Sequence, residues 1–378
     1  DSGNNRVVQV DKSGYVRTEL KTVNNGLQIL RPGDPISLNT PTDVQTYTES
    51  TGFDNGTLSY TNLRTGTTYS FTGAYYAVHY LIADSGNYRM VEVVDAFNLD
   101  GTPVLLAGSD GSSVPLQKQV VFASSSLAEK GAFYRYRTLQ QFIDPTSPTS
   151  DVYLIAAVDN VRVSAEDPMA KLIGTPSTQD SPGGAIVVMR RNPVAPARDG
   201  DIALVITALT YQDAMGNTTR TQPLSNPTWF KEFDLRTPSG IQSRYLLVDD
   251  NGCYMLRLGV DGMGNSIAIV DWALTADDYF KMAGRRLRAS SIQKLNLADF
   301  YNGNFYPRFL ITNRYVGEDN VPDLLGIATT TFQRSQVRGE VFEIRSVDYY
   351  KGGLTPLYVV SGSTIIRNPL SSITWLFP

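Results

Sequence analysis

Few residues in this chain are able to do chemistry. Among 378 residues there is one histidine, His79, and one cysteine, Cys253. A zinc site built from three histidines, a Cys/His metal cage, and a Ser-His-Asp network with a histidine to spare are therefore excluded. No disulfide can close within the chain, and Cys253 reads as a small buried hydrophobe rather than a nucleophile. Oxygen ligands remain. Asp43, Asp159, Asp249 and Asp299 are acidic candidates for a Ca²⁺ site, but no local cluster has ligand spacing and no EF-hand loop is present. The basic residues concentrate at Arg285, Arg286 and Arg288, with Arg190 and Arg191 as a lesser pair. The first three end a predicted helix, where the helix dipole favours cations, and the chain as a whole carries a net charge of −4. No nucleic-acid partner is expected from that balance.

The elements that must position these residues are mostly strands. The sequence holds 31 Gly, 20 Pro and 21 Tyr, which with its many Thr, Ser and Asn describes a turn-rich β protein. Short apolar runs bounded by polar or turn residues lie at 80–83, 152–156, 202–206, 245–248, 309–311 and 357–360, each reading as a buried strand. The best helical pattern covers Thr275 to Arg288, with Thr275 as its cap and Asp277 and Asp278 in the first turn. No apolar run approaches the roughly 18 residues of a membrane span, so no membrane insertion is expected.

The runs recur with a common turn. Asp1-Ser2-Gly3-Asn4-Asn5-Arg6-Val7 and Asp84-Ser85-Gly86-Asn87-Tyr88-Arg89-Met90 agree closely, and Asp249-Asp250-Asn251-Gly252-Cys253-Tyr254 agrees more loosely. A second element precedes strands at Leu38-Asn39-Thr40-Pro41, Leu224-Ser225-Asn226-Pro227 and Ile366-Arg367-Asn368-Pro369. In this pattern the chain resembles the NHL-repeat β-propellers, whose repeat runs from a Pro-led inner strand through an Asp-Ser-Gly-Asn hairpin. The turn residues Asp1, Gly3, Asn4, Arg6, Asp84, Gly86, Asn87, Arg89, Asp249 and Gly252 read as structural. Gly3 and Gly86 are expected to supply a positive φ, and the Asp to accept hydrogen bonds from amides.

The resemblance implies an all-β, six-bladed propeller with one short helix, forming a single domain over 1–378. Expected blades run over about 36–113, 114–183, 184–223, 224–289 and 290–365. The sixth is closed by pairing 1–30 with 368–378, which removes open sheet edges. The start within a motif suggests a piece of a longer surface protein or assembly. Long insertions carry the excess length, above all 47–72, read as a β-hairpin reaching off the body. Function on a rigid scaffold concentrates in such loops. Tyr47, Tyr60, Tyr69, Tyr75, Tyr76, Tyr134 and Tyr136 are the candidate binding aromatics, with Phe133, Tyr301 and Tyr306 nearby. Sequons stand at Asn55 and Asn217.

The expected function is a non-catalytic, extracellular binding or structural module of a prokaryotic cell-surface or appendage protein. Rim loops would meet a protein or glycan, and no cofactor is required. The alternatives are a Ca²⁺-dependent propeller lactonase or esterase with its metal in the central channel, and a virion or tail-associated structural protein.

Overall fold

The computed structural model describes residues 1–11, 15–62, 65–124, 132–143, 151–163, 183–191, 200, 202–237, 240–261, 264–283, 287–301, 304–313, 323–333, 336–344, 348–349, 358–361, 364–367 and 371–372. The protein is mostly antiparallel β-sheet, an arrangement compatible with a β-propeller, and it has one α-helix among the described residues. By its internal contacts it divides into two compact units, 1–207 and 208–378.

In the first unit a 3₁₀ turn (Ser2–Asn4) leads into the hairpin of β1 (Val7–Val10) and β2 (Val16–Leu20). β3 (Pro41–Ser50) enters a four-stranded sheet, and the chain then leaves it for the hairpin of β4 (Gly56–Thr61) and β5 (Thr68–Gly73). It returns as β6 (Tyr75–Asp84) and β7 (Arg89–Asn98), departs again for β8 (Leu105–Gly108) and β9 (Ser113–Pro115), and closes the sheet with β10 (Gln119–Ala123). Two sheets result: a first sheet ordered β10-β7-β6-β3, and an accessory sheet ordered β4-β5-β8-β9. A third follows in chain order from β11 (Ala132–Ile143), β12 (Val152–Val163), β13 (Gly184–Arg191) and β14 (Ile202–Ile206). The blade border expected at 183/184 is corrected here, since β12 and β13 pair from Val152↔Arg191 to Asp159↔Gly184 within one sheet.

β6 and β7 read as nearly continuous apolar runs because both of their faces are covered. On one face Leu81, Ala83, Met90 and Phe122 pack against Tyr136, Leu139 and Leu154 of the following sheet. On the other, Tyr80, Ile82, Val91 and Val93 meet Val7, Leu20, Leu30 and Leu38. The expected 47–72 hairpin is also corrected: Tyr47 to Ser50 lie in β3, and the hairpin proper does not project alone. A lone hairpin with an apolar face is marginal in water. Here Leu58 and Tyr69 bury that face against Leu106 and Val114 of the accessory sheet and Tyr75, Ala77, Val94 and Ala96 of the first sheet.

In the second unit β15 (Ala208–Gln212) and β16 (Thr218–Pro223) form a hairpin. β17 (Trp229–Thr237), β18 (Gly240–Asp249), β19 (Gly252–Val260) and β20 (Ser266–Thr275) form a meander, and β15 joins its edge in parallel with β20. Helix α1 (Ala276–Ala283) starts where the sequence places it: the Thr275 hydroxyl accepts from the Asp278 amide at 3.1 Å and donates to its carboxylate at 2.6 Å. Another meander follows from β21 (Ala289–Tyr301), β22 (Asn304–Asn313), β23 (Asp323–Gln333) and β24 (Gln336–Ile344). Two short pairs complete the described strands: β25 (Asp348–Tyr349) with β28 (Ser371–Ser372), and β26 (Tyr358–Ser361) with β27 (Thr364–Arg367). Leu246, Met255 and Trp272 pack against Ile292, Phe309 and Ile311, and Cys253 sits fully buried among them, its thiol pushed up by burial. No helix among the described residues is long and apolar enough to cross a membrane.

Candidate functional site

The repeated turns form around a carboxylate. In the first, Asp1 accepts from the Asn4 amide group at 3.0 Å and from Arg6 Nε at 2.8 Å. In the second, Asp84 accepts from Asn87 at 2.8 Å, from Arg89 Nε at 2.7 Å and from the backbone of Asn39 at 2.7 Å. That last bond ties the turn to the polar-Pro step upstream, and the Gly86 amide returns a bond to the Asn39 carbonyl at 2.8 Å. Asp249 repeats the tie: Ser225 donates to it at 3.1 Å, and the Asp250 amide donates to the Ser225 carbonyl at 2.8 Å. In both steps the residue before the proline is left-handed, Thr40 at φ 47° and Asn226 at φ 54°.

Two expectations about these turns are corrected. Gly3 and Gly86 do not carry the positive φ; Asn5 (52°) and Tyr88 (53°), two positions on, do. Space rather than dihedral requires Gly86, since a Cβ there would lie 2.5 Å from the Asn39 side chain. The third turn is also two residues shorter. Asp84 pairs across its hairpin with Arg89 but Asp249 pairs with Gly252, so Gly252 occupies the place of the arginine. A further repeat emerges at Asp213–Asn217 and Asp261–Asn265, where each Asp side chain accepts from the Asn amide four residues on, at 2.9 and 2.8 Å.

An ionic cluster built around the single histidine lies in the first sheet. Along β6 the inward row reads Tyr75, Ala77, His79, Leu81, Ala83, and along β7 it reads Met90, Glu92, Val94, Ala96. His79 and Glu92 thus interrupt two apolar rows at the boundary between two apolar cores. Glu92 Oε1 accepts from the Tyr47 hydroxyl at 2.6 Å and meets His79 Nδ1 at 2.8 Å, while its Oε2 is paired with Arg191 of β13. Tyr47 stacks on His79 with ring centroids 4.3 Å apart, as their direct pairing across β3 and β6 dictates. Arg191 also lies over the Phe122 ring, 4.5 Å from its centre. On the far side of the imidazole, Nε2 is buried without a hydrogen-bond partner and faces Glu49 Oε2 at 3.7 Å, and Glu49 in turn accepts from the Tyr75 hydroxyl.

Burial alone would raise the Glu92 carboxyl, but Arg191, His79 and Tyr47 together hold it far below the ordinary range. Burial works to lower His79, and the two glutamates that flank it more than offset this, lifting it to about 8. The two carboxylates on either side of the ring thus favour its charged form. A carboxylate that fixes one imidazole nitrogen and leaves the other directed elsewhere is a proton-holding arrangement, and here the second nitrogen faces a carboxylate as well.

The candidate aromatics divide by burial. Tyr69, Tyr75 and Tyr136 are buried in cores, Tyr47 and Tyr60 are half-buried about the ionic cluster, and Tyr76 stands 43% exposed. The side chains of Phe133, Tyr134, Tyr301 and Tyr306 lie outside the described residues, as do those of Asp159, Asp299, Arg285 and Arg286. Asp43 binds the Thr138 hydroxyl at 2.7 Å and the Leu139 amide at 2.9 Å, tying β3 to β11. Asp249 is buried with amide donors about it. No group of three or more His, Cys, Asp or Glu side chains among the described residues is placed to hold a metal ion. The sequence reading missed Glu92, Glu49 and the role of Arg191. The period-2 rows of β6 and β7 carry the signal for His79 and Glu92, whereas nothing local marks Arg191, 99 residues from its partner.

Fold and site together define an all-β protein of mostly antiparallel sheets, several of them four-stranded, with a buried, charge-balanced cluster beside an accessory sheet. No family model matches the chain, and no curated protein matches it.

Proposed function

We propose that the chain is a propeller of the NHL-repeat type acting as a non-catalytic, extracellular binding or structural module of a prokaryotic cell-surface or appendage protein. Support for the architecture comes from four meanders or meander-like sheets, β3 to β10, β11 to β14, β17 to β20 and β21 to β24. Within each unit, successive ones pack face to face in chain order, as blades do. The polar-Pro steps at 38–41 and 224–227 serve the Asp turns at 84 and 249.

The observation that carries the binding role is the accessory sheet. It is an addition to a four-stranded unit that needs no fifth strand, and function on stiff scaffolds gathers in such additions. Phe53, in the loop that leads into it, is 95% exposed, and Tyr76 offers a second exposed ring. Exposed aromatics on a rigid frame suit protein or glycan contact. The test is binding to a panel of surface glycans and purified surface proteins, comparing the chain with a Phe53→Ser, Tyr76→Ser double variant. A specific ligand whose affinity falls at least about tenfold in the variant, with unfolding unchanged, supports the proposal. Equal affinity in both proteins, or turnover of an ester or lactone panel by the chain, overturns it.

A further inference from the structure

We propose that His79, the only histidine of the chain, is a protonation-controlled latch that fastens the stem of the accessory sheet to the first sheet when the imidazole is charged and loosens it when the ring is neutral.

The geometry dictates the sign. Glu92 requires a proton on His79 Nδ1, because the carboxylate there accepts at 2.8 Å. In the charged ring Nε2 also carries a proton, and at 3.7 Å it attracts Glu49 as an ion pair without a formed hydrogen bond. In the neutral ring the Nδ1 proton stays with Glu92, and Nε2 turns a lone pair toward the Glu49 carboxylate. Attraction becomes repulsion at one contact. That contact is at the stem: Glu49 stands two residues before Thr51, and Thr51 and Tyr75 hold the departing and returning chain together through bonds of 3.1 and 3.0 Å. Glu49 also receives the Tyr75 hydroxyl, so its movement releases both sides of the stem. With 49% of its side chain exposed it has solvent to move into, whereas Glu92 at 4% does not.

The surroundings leave the titration to the imidazole. The groups facing it are Tyr47 and Glu49 of β3, Tyr60 of β4, Tyr75 of β6, Glu92 of β7 and Arg191 of β13. Burial first, and then the nearby glutamates, push the three tyrosine hydroxyls far above their ordinary range. His79 beside Glu49 lowers the Glu49 carboxyl, Glu92 is held lower still, and an arginine stays charged. With the ring charged, two carboxylates face two cations; on its deprotonation a surplus negative charge remains in a largely buried place. His79 is raised to about 8, above the 6.5 of a free imidazole, so its stabilising contribution is complete below pH 6.5 and is lost as pH rises through about 8. The latch concerns the stem itself and holds whichever partner the accessory sheet meets.

A chain with one histidine allows a direct test. In protein labelled at histidine, a single imidazole NMR signal reports the titration of His79, and amide hydrogen exchange, corrected for intrinsic rates, reports protection of 49–75 across pH 6 to 10. The expected result is a midpoint above 7, with stem protection falling about tenfold at that same midpoint while the β10 amides stay unchanged. In His79→Gln, which carries no titrating ring, the step in stem protection is expected to vanish. Should that variant fail to fold, Glu49→Gln keeps the His79–Glu92 bond and removes the repelling carboxylate, and it too should abolish the step. A midpoint at or below that of a free imidazole, stem protection that stays flat through the midpoint, or a step that persists in the variants overturns the latch.

Discussion

In the turn at Asp84 a buried carboxylate meets a guanidinium, while in the turn at Asp249 it meets neutral donors, backbone amides and the Tyr254 hydroxyl. Both turns receive the same backbone bond from a polar-Pro step, and both bury the acid almost completely. The difference follows from turn length. Four residues separate Asp84 from its cross-strand partner, which is Arg89, and two separate Asp249 from its partner, which is Gly252. Losing the arginine leaves burial uncompensated by a cation, and burial lifts the Asp249 carboxyl to about 6 despite the amides of Ser225, Asn251 and Gly252. One hairpin thus holds a sealed ion pair and the other a weak acid. Conserving the hydrogen-bond scaffold of a turn does not conserve its electrostatics.

Removing the cation from the first turn should have the largest effect. Arg89 is 1% exposed against an Asp84 that is 0% exposed, so Arg89→Ala strands a buried carboxylate and should cost about 3–5 kcal/mol in denaturant unfolding. The same change in the surface copy of the motif, Arg6→Ala, should cost no more than about 1 kcal/mol, because Arg6 is 34% exposed. Equal losses at the two sites would show that the bonds, not the burial, set the energy.

The second turn should respond to pH instead. Asp249 is raised in the folded protein, so between about pH 4 and 6 the folded state holds a proton that the unfolded chain has released. Its contribution to stability therefore falls as pH rises through that window, by an amount on the order of 2–3 kcal/mol for a shift of this size. Asp249→Asn keeps an oxygen for the amides and carries no charge. Unfolding free energies measured at pH 4, 5, 6 and 7 should then lose the corresponding slope relative to the parent chain, and an unchanged slope would assign it to other groups.

Glycine positions sharpen the same contrast by sterics. A Cβ on Gly252 would lie 2.3 Å from the Leu274 carbonyl oxygen, a backbone atom that cannot swing aside, at a φ of 156°. Gly252→Ala should cost about 1–3 kcal/mol. Gly3→Ala, with nothing within 4 Å of the added carbon and no positive φ, should stay within about 0.5 kcal/mol, as thermal melts of the two variants would show.

Much of this local structure is legible in the sequence, because hairpin turns and caps are decided by neighbours. The Asp-Ser-Gly-Asn turns, the Thr275 cap and the buried strand at 80–83 depend on residues within a few positions of one another. The failures occur where distance in the chain enters. That β12 and β13 share a sheet is not written between residues 163 and 184, and neither is the pairing of β5 with β8 that turns an apparent free hairpin into a packed sheet. Arg191 looks like half of a basic pair until β13 is placed beside β7. Glu92 and His79 were readable as polar breaks in apolar rows, but the sign of their interaction rests on Glu49, which reaches them only after β3 pairs with β6 in the observed register.

The smallest effect expected is a gain. Thr40 and Asn226 fill the same left-handed position ahead of a proline, and the two residue types fit it unequally. A left-handed backbone crowds any Cβ, and a β-branched side chain most of all, whereas asparagine tolerates the region better than other non-glycine residues. Thr40 keeps its place because its amide donates to Asn5 at 2.8 Å and its hydroxyl bonds Asn39 at 3.1 Å. The first of these bonds is made by backbone and survives substitution. Thr40→Asn should therefore raise stability by about 0.5–1 kcal/mol, and the reciprocal Asn226→Thr should lower it by a similar amount. Opposite signs in paired thermal melts would establish that the two steps are one structural device filled with unequal care. A loss in both would mean that the Thr40 hydroxyl contributes more than its backbone strain costs.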